Sequence, residues 1–230
     1  MRPGLLVIAK APVPGLAKTR IAVGVGAVAA ADLAAAALLD TLDVGEQWAD
    51  EERRLIALTG DLTCARRGDE IADRLRRWTV VSQHEGTFAQ RLLHAHHDAE
   101  TVWGANEVLV QIGTDTPQLT PTDLDAVVKP LHPSPLSVVD AVVGPAIDGG
   151  WWALATRRAG YVEGLVDVPM STSHTCADTA AMLRTAGARV HQAHCLSDVD
   201  TLADAQRVAL HAPETRFAAS VNALFAEAAR

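Results

Sequence analysis

The sequence predicts an α/β domain built on a mainly parallel sheet with helices on both faces. Three observations predict it. Short, continuously apolar runs alternate with longer alanine- and leucine-rich stretches along the chain, as expected for strands buried on both faces and joined by helices. The 230 residues contain no linker and no internal repeat, so one large domain is the economical organisation. Hydrophobic residues make up 49% and charged residues 21%, enough apolar material for a core and too little charge for a disordered chain.

The elements follow in order. Residues 5–9 form the first strand, and a loop with Pro12, Pro14 and Gly15 leads to a helix over about 27–42. A second strand at 55–59 precedes a charged helix that runs to about 77, and a third strand covers 78–82. A helix over about 87–102 leads to the fourth strand at 108–112. Thr120 is placed to cap the next helix, with Pro121 at its first position and its end near 131. Two strands, 138–143 and 151–155, flank Asp148-Gly149-Gly150. A helix at about 176–186, a strand at 190–196 and a helix from Thr201 complete a core of about 5–210. Residues 214–230 read as a last amphipathic helix, whose apolar positions Phe217, Val221, Leu224 and Phe225 suit docking on its own domain or on a partner.

Charge and composition exclude several functions. Twenty basic against 28 acidic side chains give a net charge of −8. With only nine aromatic residues and no basic stripe, the chain lacks what a nucleic-acid groove needs. Three scattered cysteines without a C-x-x-C pair indicate a reduced chain with neither a disulfide framework nor a zinc finger. Asp32 and Asp40 interrupt the alanine-rich segment well short of the ~18 apolar residues of a membrane span. The apolar run at the N-terminus is too short for a signal peptide, so a cytoplasmic protein is expected. Only three of the 20 basic residues are lysines (Lys10, Lys18 and Lys129), and two of them fall within residues 10–20.

Ligands of an open α/β sheet bind beyond the carboxyl ends of the strands. Four segments there carry charge or glycine: 10–20, 113–117, 148–150 and 198–200. In the first, Lys18 supplies a point charge and Arg20 a planar fork beside Gly15, a set that suits a polyphosphate, although neither a Walker loop nor G-x-G-x-x-G is present. A solvated, proline-stiffened surface loop is the plain alternative. Asp115, after Gly113 and before Pro117, suits a Mg²⁺ shared with phosphates, although on this block alone an Asx turn capping the strand end is the stronger reading. Asp200 would share that ion if the two strand ends adjoin, or Thr201 or Asp200 would simply cap the next helix. Gly149 and Gly150 permit close approach to a ligand and equally a tight hairpin. His94, His96 and His97, and likewise His191, His194 and Cys195, lack a metal-ligand spacing. There is no G-x-S-x-G nucleophile motif.

Four blocks in order, Ala9-Lys-Ala-Pro-Val-Pro-Gly15 with Lys18-Thr19-Arg20, Gly113-Thr-Asp-Thr-Pro117, Gly144-Pro-Ala-Ile-Asp-Gly-Gly150 and Asp198-Val-Asp-Thr201, carry a resemblance. The chain resembles the bacterial glycosyltransferase-like proteins of unknown function in the nucleotide-diphospho-sugar transferase superfamily, over about residues 5–210. The resemblance implies a GT-A-like three-layer α/β/α sandwich with a mainly parallel, mixed central sheet. It implies Mg²⁺ or Mn²⁺ at Asp115, with Asp200 as second ligand. It also implies a nucleotide or nucleotide sugar gripped by Lys10, Pro14, Gly15, Lys18, Thr19, Arg20, Gln83, Arg91, Gly113, Gly149 and Gly150. Catalytic roles fall to Lys18, Arg20 and Asp148, the last orienting or deprotonating a hydroxyl of a small-molecule acceptor. Lys18-Thr-Arg20 is also similar to the loop of 2-phospholactate guanylyltransferases, relatives of the molybdenum-cofactor guanylyltransferases. The expected reaction is therefore glycosyl transfer, with nucleotidyl transfer releasing pyrophosphate as the alternative and a nucleotide-binding module without turnover as the third reading. The chain departs from the family pattern in three places. The block Gln83-His-Glu-Gly86-Thr-Phe-Ala-Gln-Arg91 lacks the family's acidic residue, Met170 stands where a tryptophan is usual, and Trp151 and Trp152 replace tyrosines.

Overall fold

A computed structural model describes residues 3–132 and 138–228. Seven strands form one sheet: β1 (Gly4–Lys10), β2 (Arg54–Thr59), β3 (Thr79–Ser82), β4 (Leu109–Ile112), β5 (Ala141–Pro145), β6 (Trp151–Thr156) and β7 (Val190–Gln192). Their order is β3-β2-β1-β4-β6-β5-β7. β6 runs against both β4 and β5, while all other pairs are parallel. The reversal follows from the tight return at 146–150, where Ala146 N–H donates to Gly150 O at 2.9 Å and Gly149 N–H to Ala146 O at 3.1 Å. The expected mainly parallel, mixed sheet is present.

The helices are α1 (Thr19–Val25), α2 (Ala27–Trp48), α3 (Gly68–Leu75), α4 (Phe88–Trp103), α5 (Pro121–Val128), α6 (Thr175–Thr185), α7 (Leu202–His211) and α8 (Arg216–Ala228). α4, α5 and α7 each start on a threonine capping box, at Thr87, Thr120 and Thr201. The hydroxyl takes an orphan N–H of the first turn, while the side chain three residues on takes the cap's own N–H.

Strand alternation sends side chains to two cores. Leu5, Val7, Ile56, Val110 and Ile112 pack with Leu38 and Leu42 of α2 and with Leu124 and Val127 of α5. Leu6, Leu55, Leu109, Val143 and Leu154 pack with Leu92, Ala95 and Ala99 of α4 and with Leu183 of α6. Within α2, Gly45 leaves room for the Trp78 ring, which a Cβ there would meet at 2.4 Å. A third cluster joins Ile21, Leu33, Ala36, Val208, Phe217 and Val221, so α8 docks on its own domain. Phe217 is fully buried, a placement that contributes on the order of 1.5–3 kcal/mol. The three-layer arrangement is thus extended outside α2 by α1, α7 and α8.

Four expectations shift. The loop of residues 10–20 ends early, because α1 starts at Thr19. The helix expected to stop near 42 continues to Trp48. The strand expected over 190–196 is regular only for Val190–Gln192, with an isolated bridge between Ala146 and Leu196 beyond it. The strand expected over 138–143 is instead Ala141–Pro145, with a register shift at Gly144/Pro145, where proline has no N–H to continue a ladder. A 3-10 segment at Ala159–Asp167 was not foreseen. The last two residues of the expected helix over 214–230 lie outside the described residues. Among the described residues no helix is long and apolar enough to cross a membrane.

Candidate active site at the strand ends

A cleft of about 530 Å³ opens at the carboxyl ends of β1 and β4. It gathers Lys10, Lys18, Thr19, Arg20, Gln83, Arg91, Gly113, Asp115, Asp148, Gly150 and Asp200 from the sequence candidates. Pro14, Gly15 and Gly149 do not line it. Gly15 takes a positive φ of 82° with nothing within 4 Å of a would-be Cβ, so it shapes the loop.

The first wall carries the cations. Lys18 is the N-cap of α1 and adopts a left-handed backbone with φ 46°. Its ammonium donates to Asp115 Oδ1 at 2.5 Å and also to the Val199 carbonyl. That side chain is only 11% exposed, although Asp115 is open to solvent. Arg20, one residue into α1, donates from a terminal nitrogen to Asp200 Oδ2 at 2.5 Å, and both partners are exposed. Val199 N–H donates to Asp115 O at 2.9 Å. The post-β4 loop and the 198–200 segment are therefore neighbours, as the shared-ion reading required.

The second wall carries the acids. Oxygens of Asp148, Asp198 and Asp200 lie within 4.8 Å of one another. Asp200 is thus grouped more closely with Asp148 and Asp198, while Asp115 faces Lys18. Three hard carboxylate oxygens at that spacing suit a hard divalent cation such as Mg²⁺ or Mn²⁺. Asp148 is fixed by the Gly150 N–H, which donates to its Oδ1 at 2.7 Å. Gly149 lies below it at φ 93°, where a Cβ would come 2.2 Å from Ser173 O, so only glycine fits this return. Burial pushes the Asp198 carboxyl above its ordinary range, and the negative charges of Asp148 and Asp200 add to that rise.

A third group sits between β1, β2 and α4. Gln83 spends both amide hydrogens on the carbonyls of Ala9 (2.8 Å) and Ala57 (2.9 Å), and its oxygen accepts from Arg91 at 3.3 Å. Gln83 is therefore a bracket that positions Arg91. Arg91 lies over the Phe88 ring at 5.5 Å, and its Nε–H is buried without a partner.

Sequence reasoning passed over Asp198 as a site residue in favour of Asp200, although the alternating aspartates of 198–200 were the available signal. It also missed Gln111, a buried polar residue in an otherwise apolar strand and part of the cleft floor. Its Oε1 accepts from His96 Nε2 at 2.6 Å. His96 is wholly buried, and desolvation lowers its pKa to about 4, so it is neutral near pH 7. Phe88, Trp151 and Met170 add apolar surface to the cleft.

Residues 42–172 match the model of a family described as an uncharacterized protein conserved in bacteria (DUF2064). No curated protein matches the sequence. Among solved structures, the chain is similar to a "putative nucleotide-diphospho-sugar transferase" from Desulfovibrio desulfuricans G20, with 24% identity, 99% of this chain and 95% of that chain covered, and a TM-score of 0.76. It is similar to CMP:2-keto-3-deoxy-manno-octonic acid synthetase complexed with CTP, at 13% identity over 93% and 100% of the two chains, with a TM-score of 0.56. A cytidylyltransferase from Leptospira borgpetersenii serovar Hardjo-bovis (strain JB197) aligns at 14% identity over 100% and 96%, with a TM-score of 0.53. At these identities the likeness is one of fold.

Proposed function

We propose, from the premise that this chain belongs to the DUF2064 family, that it is a metal-dependent transferase moving the glycosyl group of a nucleotide diphosphate sugar to a small-molecule acceptor. One observation carries the proposal: two phosphate-seeking cations, Lys18 and Arg20, meet four aspartates in a single cleft at the strand ends. The name of the Desulfovibrio structure supports the substrate class.

Asp115 and Asp200 are the ligands we assign to Mg²⁺ or Mn²⁺, with Asp148 and Asp198 beside Asp200. When bound, the ion would neutralise charge on the diphosphate leaving group. The chain's own residues do the rest. Lys18 and Arg20 donate to phosphate oxygens as negative charge grows there. Arg91, held by Gln83 and Phe88, adds a third cationic group to the cleft. Asp148 keeps Oδ1 on the Gly150 N–H, and its Oδ2 receives the proton of the attacking hydroxyl. Trp151, Phe88 and Met170 line the cleft with apolar surface.

A second reading, nucleotidyl transfer from a nucleoside triphosphate, is favoured by two observations. The CTP-bound synthetase and the Leptospira cytidylyltransferase share the fold across nearly the whole chain. The same cations and carboxylates would position a triphosphate for attack at its α-phosphate. Incubation with Mg²⁺, nucleoside triphosphates or nucleotide sugars, and an acceptor panel separates the readings. Nucleoside diphosphate released from a nucleotide sugar supports glycosyl transfer, and pyrophosphate released from a triphosphate supports nucleotidyl transfer. Tight binding without either product indicates a binding module. Nucleotide binding that is absent, or indifferent to Asp115→Asn, overturns the proposal.

A further inference from the structure

We propose that Lys18 and Arg20 form a cation latch on the carboxylates assigned to the metal, so that a divalent ion must displace them before they can grip phosphate. The inference rests on the metal assignment above but concerns a different property, the competition between the chain's own cations and the ion. Both residues assigned to the metal are occupied by these two side chains, Asp115 by the Lys18 ammonium and Asp200 by the Arg20 guanidinium, each at 2.5 Å. Lys18 is fastened a second time to the carbonyl of Val199, the residue between Asp198 and Asp200. One short stretch of chain, the start of α1, thus holds the 198–200 segment at two points.

The electrostatics give the latch its logic. Oxygens of Asp148, Asp198 and Asp200 lie within 4.8 Å of one another, so their negative charges repel. Arg20 relieves this repulsion at Asp200, while Lys18 balances the separate charge of Asp115. A divalent ion does the same work with twice the charge at one point, and the two side chains are then released toward the anionic ligand. The same two residues therefore oppose binding of the ion and favour binding of the phosphates.

That opposition predicts effects of opposite sign from one substitution. Mn²⁺ binding to the nucleotide-free protein is followed by the free-ion paramagnetic resonance signal for wild type, Lys18→Met and Arg20→Met. Arg20 is 71% exposed, so its pair is solvent-screened and R20M should tighten Mn²⁺ by a few-fold. Lys18 is 11% exposed, and K18M should tighten it by about tenfold or more. With Mn²⁺ saturating, both variants should bind CTP or UDP-glucose more weakly than wild type. R20M alters an exposed side chain and keeps that arm decisive if K18M does not fold. Mn²⁺ affinity unchanged or weakened in R20M, or no Mn²⁺ binding by any form, overturns the latch. The two ideas fail separately. Tighter Mn²⁺ with no nucleotide binding leaves the latch and removes the transferase reading. Normal nucleotide binding with flat Mn²⁺ affinities does the reverse.

Discussion

At the scale of single residues, the three lysines form a controlled comparison. Lys18 is largely buried and makes two charged contacts in the cleft, Lys10 ends β1 at the cleft rim, and Lys129 lies on a 3-10 turn away from it. Hydrogen bonds to charged groups contribute roughly 1.5–3 kcal/mol each. With metal saturating, Lys18→Ala should therefore weaken nucleotide binding by about tenfold to a hundredfold, whereas Lys129→Ala should leave it unchanged. Calorimetric titration with CTP and UDP-glucose measures both, and equal effects would remove Lys18 from the phosphate site. Much of this was legible beforehand, because lysine is rare in the chain and clusters in one loop. The left-handed backbone that aims Lys18 at Asp115 was not, since a conformation favoured by glycine gives no signal when a lysine adopts it. Nor was Asp198, whose raised pKa comes from burial and like-charged neighbours that only the fold brings together.

At the scale of elements, the strands and long helices could be read from apolar runs and caps, and the predicted caps at Thr120 and Thr201 are present. α1 was not readable: its seven residues are too few to show a helical period, and Gly26 both ends it and caps α2. The docking of α8 was open in the sequence and is decided by one buried acid. Asp40 on α2 accepts from the backbone N–H groups of Arg216 and Phe217, at 3.1 and 2.8 Å, and from the Arg216 side chain at 3.3 Å. Asp40 thus anchors the start of α8, as an N-cap would, but from another helix. Burial raises its pKa against those bonds. Removing the acceptor leaves buried donors unpaired, at about 1–3 kcal/mol apiece. Asp40→Ala should lower stability by about 2–4 kcal/mol in urea unfolding and expose α8 to protease. A loss below about 0.5 kcal/mol would mean that Phe217 packing alone docks the helix.

At the scale of the whole molecule, the strand order was beyond the sequence, because periodicity reports burial and not neighbours, whereas the reversal of β6 is the tight hairpin that Gly149 and Gly150 permit. Gly149 and Gly150 make the tight return, and of the two only Gly150 lines the cleft. The pH response of the folded state also belongs at this scale, and it is set by a group inside the sheet–helix interface. His96 of α4 meets Gln111 of β4 with both wholly buried, and its pKa of about 4 lies below the ordinary 6.5. The unfolded chain therefore takes up a proton between those values while the folded one does not, so acid favours unfolding. The contribution of His96 is complete above about pH 6.5 and is lost as pH falls through the window toward 4. At pH 5 the difference amounts to about 2 kcal/mol. Asp40 acts in the opposite sense: its raised pKa makes the ionised form costly, and that cost fades on acidification. Asp140, lowered by its Arg189 hydrogen bonds, loses its contribution only below about pH 3.8. Between pH 7 and 5 His96 should therefore dominate, with wild type losing about 2 kcal/mol in urea unfolding. His96→Gln retains an N–H for Gln111 but cannot titrate, and its stability should vary far less over the same range. Parallel pH profiles for the two proteins would show that the buried pair does not control the acid response.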